Sequence, residues 1–211
     1  MSHMFILKEM MSESNRVIII GGTSGIGLVT AQYLKNKGYV PIVAGRRSVD
    51  LEGIETCKVD VCSEESVAGL FNVSLKQYDD INALVYAAGI AAPQKKVENF
   101  DKDLWDNIIA TNVTGALLTL KYSFNVLKRN RGRVAIVNSL AARRCSELSG
   151  MEYTASKAAL GALVRQLSIE WASDNVLINS VYPGMTMTPM LTENVSKDKL
   201  KEIEEKIEIT G

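Results

Sequence analysis

The sequence predicts an α/β fold, a doubly wound parallel sheet with helices on both faces. Three observations point there. Short apolar runs alternate with helix-length amphipathic segments, the runs are apolar throughout rather than at every second residue, and a glycine-rich turn links the first run to the first helix. A strand covered on both faces meets no water on either side, so its apolar residues have no reason to alternate.

Residues 16–20, "RVIII", are rich in β-branched side chains and read as the first buried strand. A helix starts at Gly25, and helical spacing assigns Ile26, Val29, Tyr33 and Leu34 to its inner face. Gly38 stands where a glycine past the last turn would end that helix. "VPIVA" (40–44) and "ETCKVD" (55–60) are the second and third strands. Ser63 is placed as a helix N-cap, with Glu64 and Glu65 in the turn where the helix dipole favours negative charge. "INALVYA" (81–87) is the fourth strand, one long helical region covers about 101–129, and "RVAIVNS" (133–139) is the fifth strand. A helix over about 153–172 and a sixth strand, "VLINSVY" (176–182), follow. The charged segment "KDKLKEIEEKIEITG" then leaves the last edge of the sheet poorly covered.

A chain of 211 residues with 46% apolar content supports one sizeable core. Residues 16–211 are therefore read as a single domain, behind a tail, 1–15, whose opening is consistent with an expression scar. Acidic and basic residues balance and no basic stretch stands out, so nucleic acid is not an implied partner. No apolar run is long enough to span a bilayer and no secretory leader is read, so a cytoplasmic location is expected. The single histidine, His3, lies in the tail, which disfavours a mechanism built on imidazole. Cys57, Cys62 and Cys145 fit no zinc spacing, and no metal is expected.

The turn "GGTSGIG" places Gly21, Gly25 and Gly27 around Thr23, Ser24 and Ile26, straight after a strand and opening a helix. Glycine there permits positive φ and close backbone approach, and the helix start offers free N–H groups and a positive dipole end. A dinucleotide phosphate suits such a turn; a plain tight turn is the competing reading. At the end of the second strand, where a carboxylate would bind a ribose 2′-hydroxyl, the sequence reads Ala44-Gly45-Arg46-Arg47. Two guanidiniums there predict NADP(H) over NAD(H), against the alternative of a solvated loop.

An ordered series of further motifs spans residues 16–190. Asp60-Val61 follows the third strand, Ala88 and Gly89 the fourth, "NVTG" begins at Asn112, Ser139 ends the fifth strand, and Tyr153 and Lys157 stand in "YTASK" ahead of "YPGMTMT". With the glycine loop, this series resembles the short-chain dehydrogenase/reductase family, and is most similar in texture to its 3-oxoacyl-carrier-protein reductases. The resemblance implies a Rossmann-type sheet. It implies Asp60 and Val61 at the adenine, Ala88 and Gly89 along the cofactor, Pro183 and Gly184 beneath the nicotinamide and Thr188 at its carboxamide. It also implies Asn112 and Ser139 completing the site of Tyr153 and Lys157. Ile20 replaces the threonine usual before the first glycine, and Tyr86-Ala87 replaces an asparagine pair, removing a brace of the central sheet. The Ser139-to-Tyr153 interval is one residue longer than usual, which makes Asn138 the fallback for Ser139. The family usually continues with another helix and an edge strand, which this sequence is expected to lack.

Tyr153 and Lys157 share one helix face. A phenol has a pKa of about 10, and a neighbouring ammonium is expected to lower it toward the range where a general acid works at neutral pH. Tyr153 would protonate a carbonyl oxygen as hydride reaches its carbon, and Ser139 would donate a hydrogen bond to the same oxygen. The resemblance gives Lys157 a second contact, to the nicotinamide ribose, and gives Asn112 a water linking Lys157 to solvent.

The expected protein is an NADP(H)-dependent oxidoreductase interconverting a carbonyl and a secondary alcohol, with a 3-oxoacyl thioester as the leading substrate. The alternatives are a catalytically silent nucleotide-binding regulator of the same fold and a sugar-nucleotide epimerase or dehydratase. Ala155, Ala158, Ala159 and Ala162 form a small-residue stripe, apart from the larger stripe Leu160, Leu163, Val164, Leu167 and Trp171 expected to face the sheet. The alanine stripe suits either a homodimer or homotetramer contact or packing within the chain. Arg143 and Arg144, between Ser139 and Tyr153, suit either an anionic carrier or a solvated loop.

Overall fold

In the computed structural model, which describes residues 15–77, 80–144, 146–196, 198–202 and 205, six strands form one parallel sheet. They are β1 (Arg16–Ile20), β2 (Val40–Gly45), β3 (Glu55–Lys58), β4 (Ile81–Tyr86), β5 (Arg133–Val137) and β6 (Leu177–Val181). Their order is β3-β2-β1-β4-β5-β6, so the chain reverses direction across the sheet between β1 and β4. Ile20 pairs with Ala44 on one side and Tyr86 on the other, which sets the ends of all three strands level. In open sheets of this order, ligands bind at the carboxyl ends of the strands beside that reversal.

β1 is buried on both faces and its side chains divide between two cores. Ile18 and Ile20 join the larger cluster, while Val17 and Ile19 face the smaller one. The smaller core is closed by α1 (Gly25–Asn36), the larger by α2 (Glu64–Gln77), α4 (Gly115–Arg129) and α5 (Met151–Glu170). Each fully buried isoleucine or leucine here contributes about 2 kcal/mol through removal of apolar surface from water. Most of the expected large stripe of α5 is inward: Leu160, Val164 and Trp171 are buried and Leu167 packs beside them, while Leu163 is only half-buried.

Three local readings change. The inner face of α1 is formed by Gly27, Ala31 and Leu34, while Val29 and Tyr33 are 64% and 60% exposed. The small residues win because the helix lies close to the sheet: a Cβ on Gly27 would stand 2.3 Å from Gly21 O. The expected helix over 101–129 is two helices, α3 (Lys102–Ile109) and α4, joined by a π-helical turn over Ala110–Thr114. β3 stops at Lys58, and the outer strands β3 and β6 are not apolar-buried throughout; Leu177 and Val181 at the β6 edge are about half exposed. Other signals hold: Gly38 has φ of +84° just past α1, and Ser63 Oγ accepts from Ser66 N. Asp101, not singled out in the sequence, caps α3 by accepting from Leu104 N. α6 (Pro189–Asn194) opens on Thr188 with proline in its first turn. The tail 1–14 and Cys145 lie outside the described residues.

Candidate active site

The sheet brings the sequence-selected residues to one end, above the carboxyl ends of β1, β4, β5 and β6. The glycine turn after β1 is the tightest part. Gly21 has φ of +81°, and a Cβ there would meet Ala88 N at 2.4 Å, so the turn rests directly on the backbone after β4. Gly25 has φ of +53°, and Thr188 lies 3.5 Å from where its Cβ would be. The loop after β6 thus closes over the start of α1. Ser24 precedes α1 in an extended conformation without a side-chain cap, which leaves the first N–H groups open to an anion.

Thr23 lies against Gly45 at the end of β2, whose Cβ would meet Thr23 Cγ2 at 2.8 Å. Arg46 and Arg47 follow, exposed, with no ion pair to either among the described residues. Asp60 is exposed and accepts from Cys62 N, whereas Val61 is 6% exposed and turned against Gly115. Ile26 is half-buried in the first turn of α1. Pro183 O accepts from Leu140 N, tying the loop after β6 to the segment after Ser139, and Gly184 packs beside the Leu140 side chain. A nicotinamide dinucleotide fits these features: a strand-to-helix cradle lined with glycine backbone, open N–H groups, and positive charge at the end of β2.

On the other side of the cleft, Ser139 caps the short turn Leu140–Ala142, its Oγ accepting from Ala141 N. Its hydroxyl lies near enough to the Tyr153 phenol to favour the ionised form of that phenol. Lys157 lies one turn along α5, 4% exposed, with Nζ donating to Val137 O at 2.9 Å. Nζ stands 5.6 Å from the centre of the Tyr153 ring and 3.6 Å from where a Cβ on Gly89 would be. Asn112 is fully buried in the π-helical turn: its Oδ1 accepts from Ile90 N, and its Nδ2 donates to Ile90 O and Ser156 Oγ. The Ser156 hydroxyl in turn donates to Tyr153 O at 2.7 Å.

The electrostatics differ from the sequence expectation. Burial pushes the Tyr153 phenol above its ordinary value, and the Ser139 hydroxyl pulls the other way. Burial also pushes the Lys157 ammonium down to about 8. Burial disfavours the charged form of both groups, and Lys157 is not among the causes that move the Tyr153 phenol.

Asn138, the fallback for Ser139, is 3% exposed and its Oδ1 accepts from Ser139 N, so it is Ser139, not Asn138, whose side chain influences the Tyr153 phenol. Arg143 stacks its guanidinium 3.7 Å from the centre of the Tyr182 ring, and Arg144 is exposed. Two residues outside the sequence-derived set join the site. Ser156 links Asn112 to the Tyr153 backbone, and Tyr86, at the end of β4, donates its hydroxyl to Thr111 O. The place of Ser156 beside Lys157 was its only signal in the sequence. Tyr86 had been marked by the missing asparagine. Among the described residues there is no cluster of metal-ligand side chains, and no helix is long and apolar enough to cross a membrane.

This fold and this arrangement define a nicotinamide-dependent oxidoreductase acting on a carbonyl or alcohol. The model of the short chain dehydrogenase family matches residues 15–199, and the chain belongs to that family. It is 27% identical over 191 residues to cis-4-hydroxycyclohexanecarboxylate dehydrogenase of Sinomonas cyclohexanicum, covering 82% of this chain and 74% of that protein. Among solved structures it resembles ElxO with NADP bound, with TM-score 0.80 and 24% identity over 89% of this chain and 82% of that one. It also resembles an NADH-dependent reductase, A1-R′, complexed with NAD, with TM-score 0.75 and 25% identity over 82% of this chain and 79% of that one.

Proposed function

We propose that the protein is an NADP(H)-dependent carbonyl reductase in which Tyr153 is the proton donor, Ser139 the oxyanion partner, and Lys157 and Asn112 the groups that hold the site in register. The observation that carries this reading is the convergence of Ser139, Tyr153 and Lys157 beside Gly89, at the sheet end that also holds the glycine cradle. When bound, the nicotinamide supplies or accepts the hydride. Gly21, Thr23, Ser24, Gly25, Ile26 and Gly27 hold its diphosphate, Asp60 and Val61 border the adenine, and Ala88 and Gly89 line the middle. Pro183, Gly184 and Thr188 border the nicotinamide.

With its pKa raised by burial, the Tyr153 phenol keeps its proton at neutral pH. That suits donation to an oxygen gaining charge as hydride reaches its carbon. Ser139 donates to the same oxygen, and its alignment is fixed by the backbone cap it provides. Lys157, held by Val137 O, keeps one proton directed at the protein and the others free for the ribose.

The preference for NADP(H) rests on Arg46 and Arg47 at the end of β2 and on the absence of a carboxylate there. One structural neighbour is bound to NADP and another to NAD, so the preference of this chain rests on its own arginines. A 3-oxoacyl thioester remains the leading substrate. A homodimer through α5 is supported by Ala158 and Ala162, which are exposed on that helix. The reading is tested by following NADPH absorbance with a panel of ketones and acyl thioesters. Turnover that requires Tyr153 supports it, and a Tyr153→Phe protein that retains substantial carbonyl reduction sinks it.

A further inference from the structure

The π-helical turn needs an explanation, because a widened turn is less stable than continuous α-helix and recurs mainly where it serves a site. Here Gly115 N donates to Ala110 O, one residue further back than in an α-helix. The extra residue is accommodated within the segment that carries Asn112. Three side-chain contacts hold this turn, one of them between Cys62 Sγ and Thr111 Oγ1 at 3.4 Å. Asn112 grips it from the cleft side through Ile90 and Ser156. Tyr86 grips it from the sheet: its hydroxyl, on a fully buried ring at the end of β4, donates to Thr111 O at 2.8 Å.

Three features suit this hydroxyl to the task. Gly115 opens the space for it, since a Cβ at that position would stand 3.0 Å from the Tyr86 oxygen. Burial, and then the nearby Cys62, push the phenol further up, so it remains a donor at any pH the fold survives. Tyr86 is also the last residue of β4, paired with Ile20 immediately before the glycine turn, so its backbone is fixed by the sheet on both sides. At the position where the family's asparagine would stand, this chain thus carries an arm that reaches Thr111 O.

We propose that Tyr86 is a positioning residue: through Thr111 O it holds the widened turn in the register that presents Asn112 to Ile90 and Ser156, and through Ser156 to the Tyr153 backbone. The chain of contacts is continuous, Tyr86 to Thr111, Asn112 to Ser156, Ser156 to Tyr153 O. Without the hydroxyl the turn can relax toward α-helical register. That relaxation would carry Asn112 away from Ile90 and loosen the first turn of α5. The kinetic part of this inference rests on the proposed function; the structural part does not.

The test compares Tyr86→Phe, which removes one oxygen and little packing, with Val67→Ala, which weakens the same core from α2 without touching the chain of contacts. In the protein without cofactor, amide hydrogen exchange is read at Ile90, whose N–H is held by Asn112, and at the core of β1. Tyr86→Phe is expected to lower protection at Ile90 by roughly 3- to 10-fold more than at β1, in line with loss of one hydrogen bond. Val67→Ala is expected to lower both together. With cofactor, Tyr86→Phe is expected to lower kcat by a similar factor and to move the midpoint of its pH profile, leaving the KM for NADPH unchanged. Val67→Ala should move neither. Equal loss of protection at Ile90 and β1 in Tyr86→Phe, or an unaltered kcat and pH profile, would overturn the proposal. A wild-type protein without carbonyl turnover would instead overturn the proposed function, and the exchange comparison would still decide the role of Tyr86.

Discussion

Lys157 Nζ lies 5.6 Å from the centre of the Tyr153 ring, yet it is directed at Val137 O, 2.9 Å away. The two groups are neighbours on one helix face without being an ion pair. Burial disfavours the charge on each. The first three predictions below follow from this relationship.

Replacing Tyr153 with phenylalanine removes the proposed proton donor and little volume. Turnover should fall by roughly 10³-fold, in the range typical for loss of a general acid. Cofactor affinity, read by fluorescence titration with NADPH, should change by less than about threefold, because the cradle is built from β1 and α1.

A buried ammonium whose pKa falls to about 8 when folded destabilises the protein wherever it must carry its charge. Below pH 8 both folded and unfolded chains bind the proton, and the full penalty, on the order of 3 kcal/mol, applies. Between the folded value and the ordinary lysine value the unfolded chain binds more protons, so this contribution improves as pH rises. Lys157→Met should therefore raise Tm at pH 7 despite leaving Val137 O without its donor, and the gain should shrink by pH 10. A gain that grows with pH would contradict the assignment.

The raised phenol of Tyr153 predicts an asymmetry between directions. Carbonyl reduction should be flat across neutral pH and decline only when the tyrosine ionises. Alcohol oxidation should climb with pH over the same range. Initial rates in both directions from pH 6 to 10 check this.

The arginines at the end of β2 predict cofactor choice. Arg46→Asp should lower kcat/KM for NADPH by roughly 100-fold and raise it for NADH, since a carboxylate there repels a 2′-phosphate and accepts from a 2′-hydroxyl. A wild-type protein that prefers NADH would remove the assignment.

Glycines at positive φ are not equivalent here. Gly38 has nothing within 4 Å of a new Cβ, so Gly38→Ala should cost only the backbone strain, about 1 kcal/mol. Gly21→Ala places a Cβ 2.4 Å from Ala88 N and should cost several times as much, read by urea denaturation, and abolish cofactor binding.

Much of this was legible in the residues. Strand β1 announced itself because burial on both faces leaves an unbroken apolar run, and β4 and β5, whose second face is half-buried, stayed apolar enough to read the same way. The cradle was legible because only glycine permits its φ values and contacts. The face of α1 was misread for a related reason: contact with the sheet is made by Gly27 and Ala31, and small residues carry no hydrophobic signal even when they pack closest. The helical region over 101–129 was legible, but the π-helical turn inside it left no mark, since it adds one residue without proline and without losing the apolar pattern. Tyr86 was visible only as a missing asparagine. Where a hydroxyl at the far end of a tyrosine ring finds a carbonyl depends on tertiary geometry that no local pattern encodes.

The position of β1 between β2 and β4 has a consequence for how the molecule is born. The floor beneath Gly21 is the backbone of Ala88, which a ribosome supplies long after the glycines themselves. Until that later stretch emerges and threads in beside the first strand, the nascent chain has a phosphate loop with nothing under it. The coenzyme therefore cannot help the early chain to fold; it can only reward a half that is already assembled.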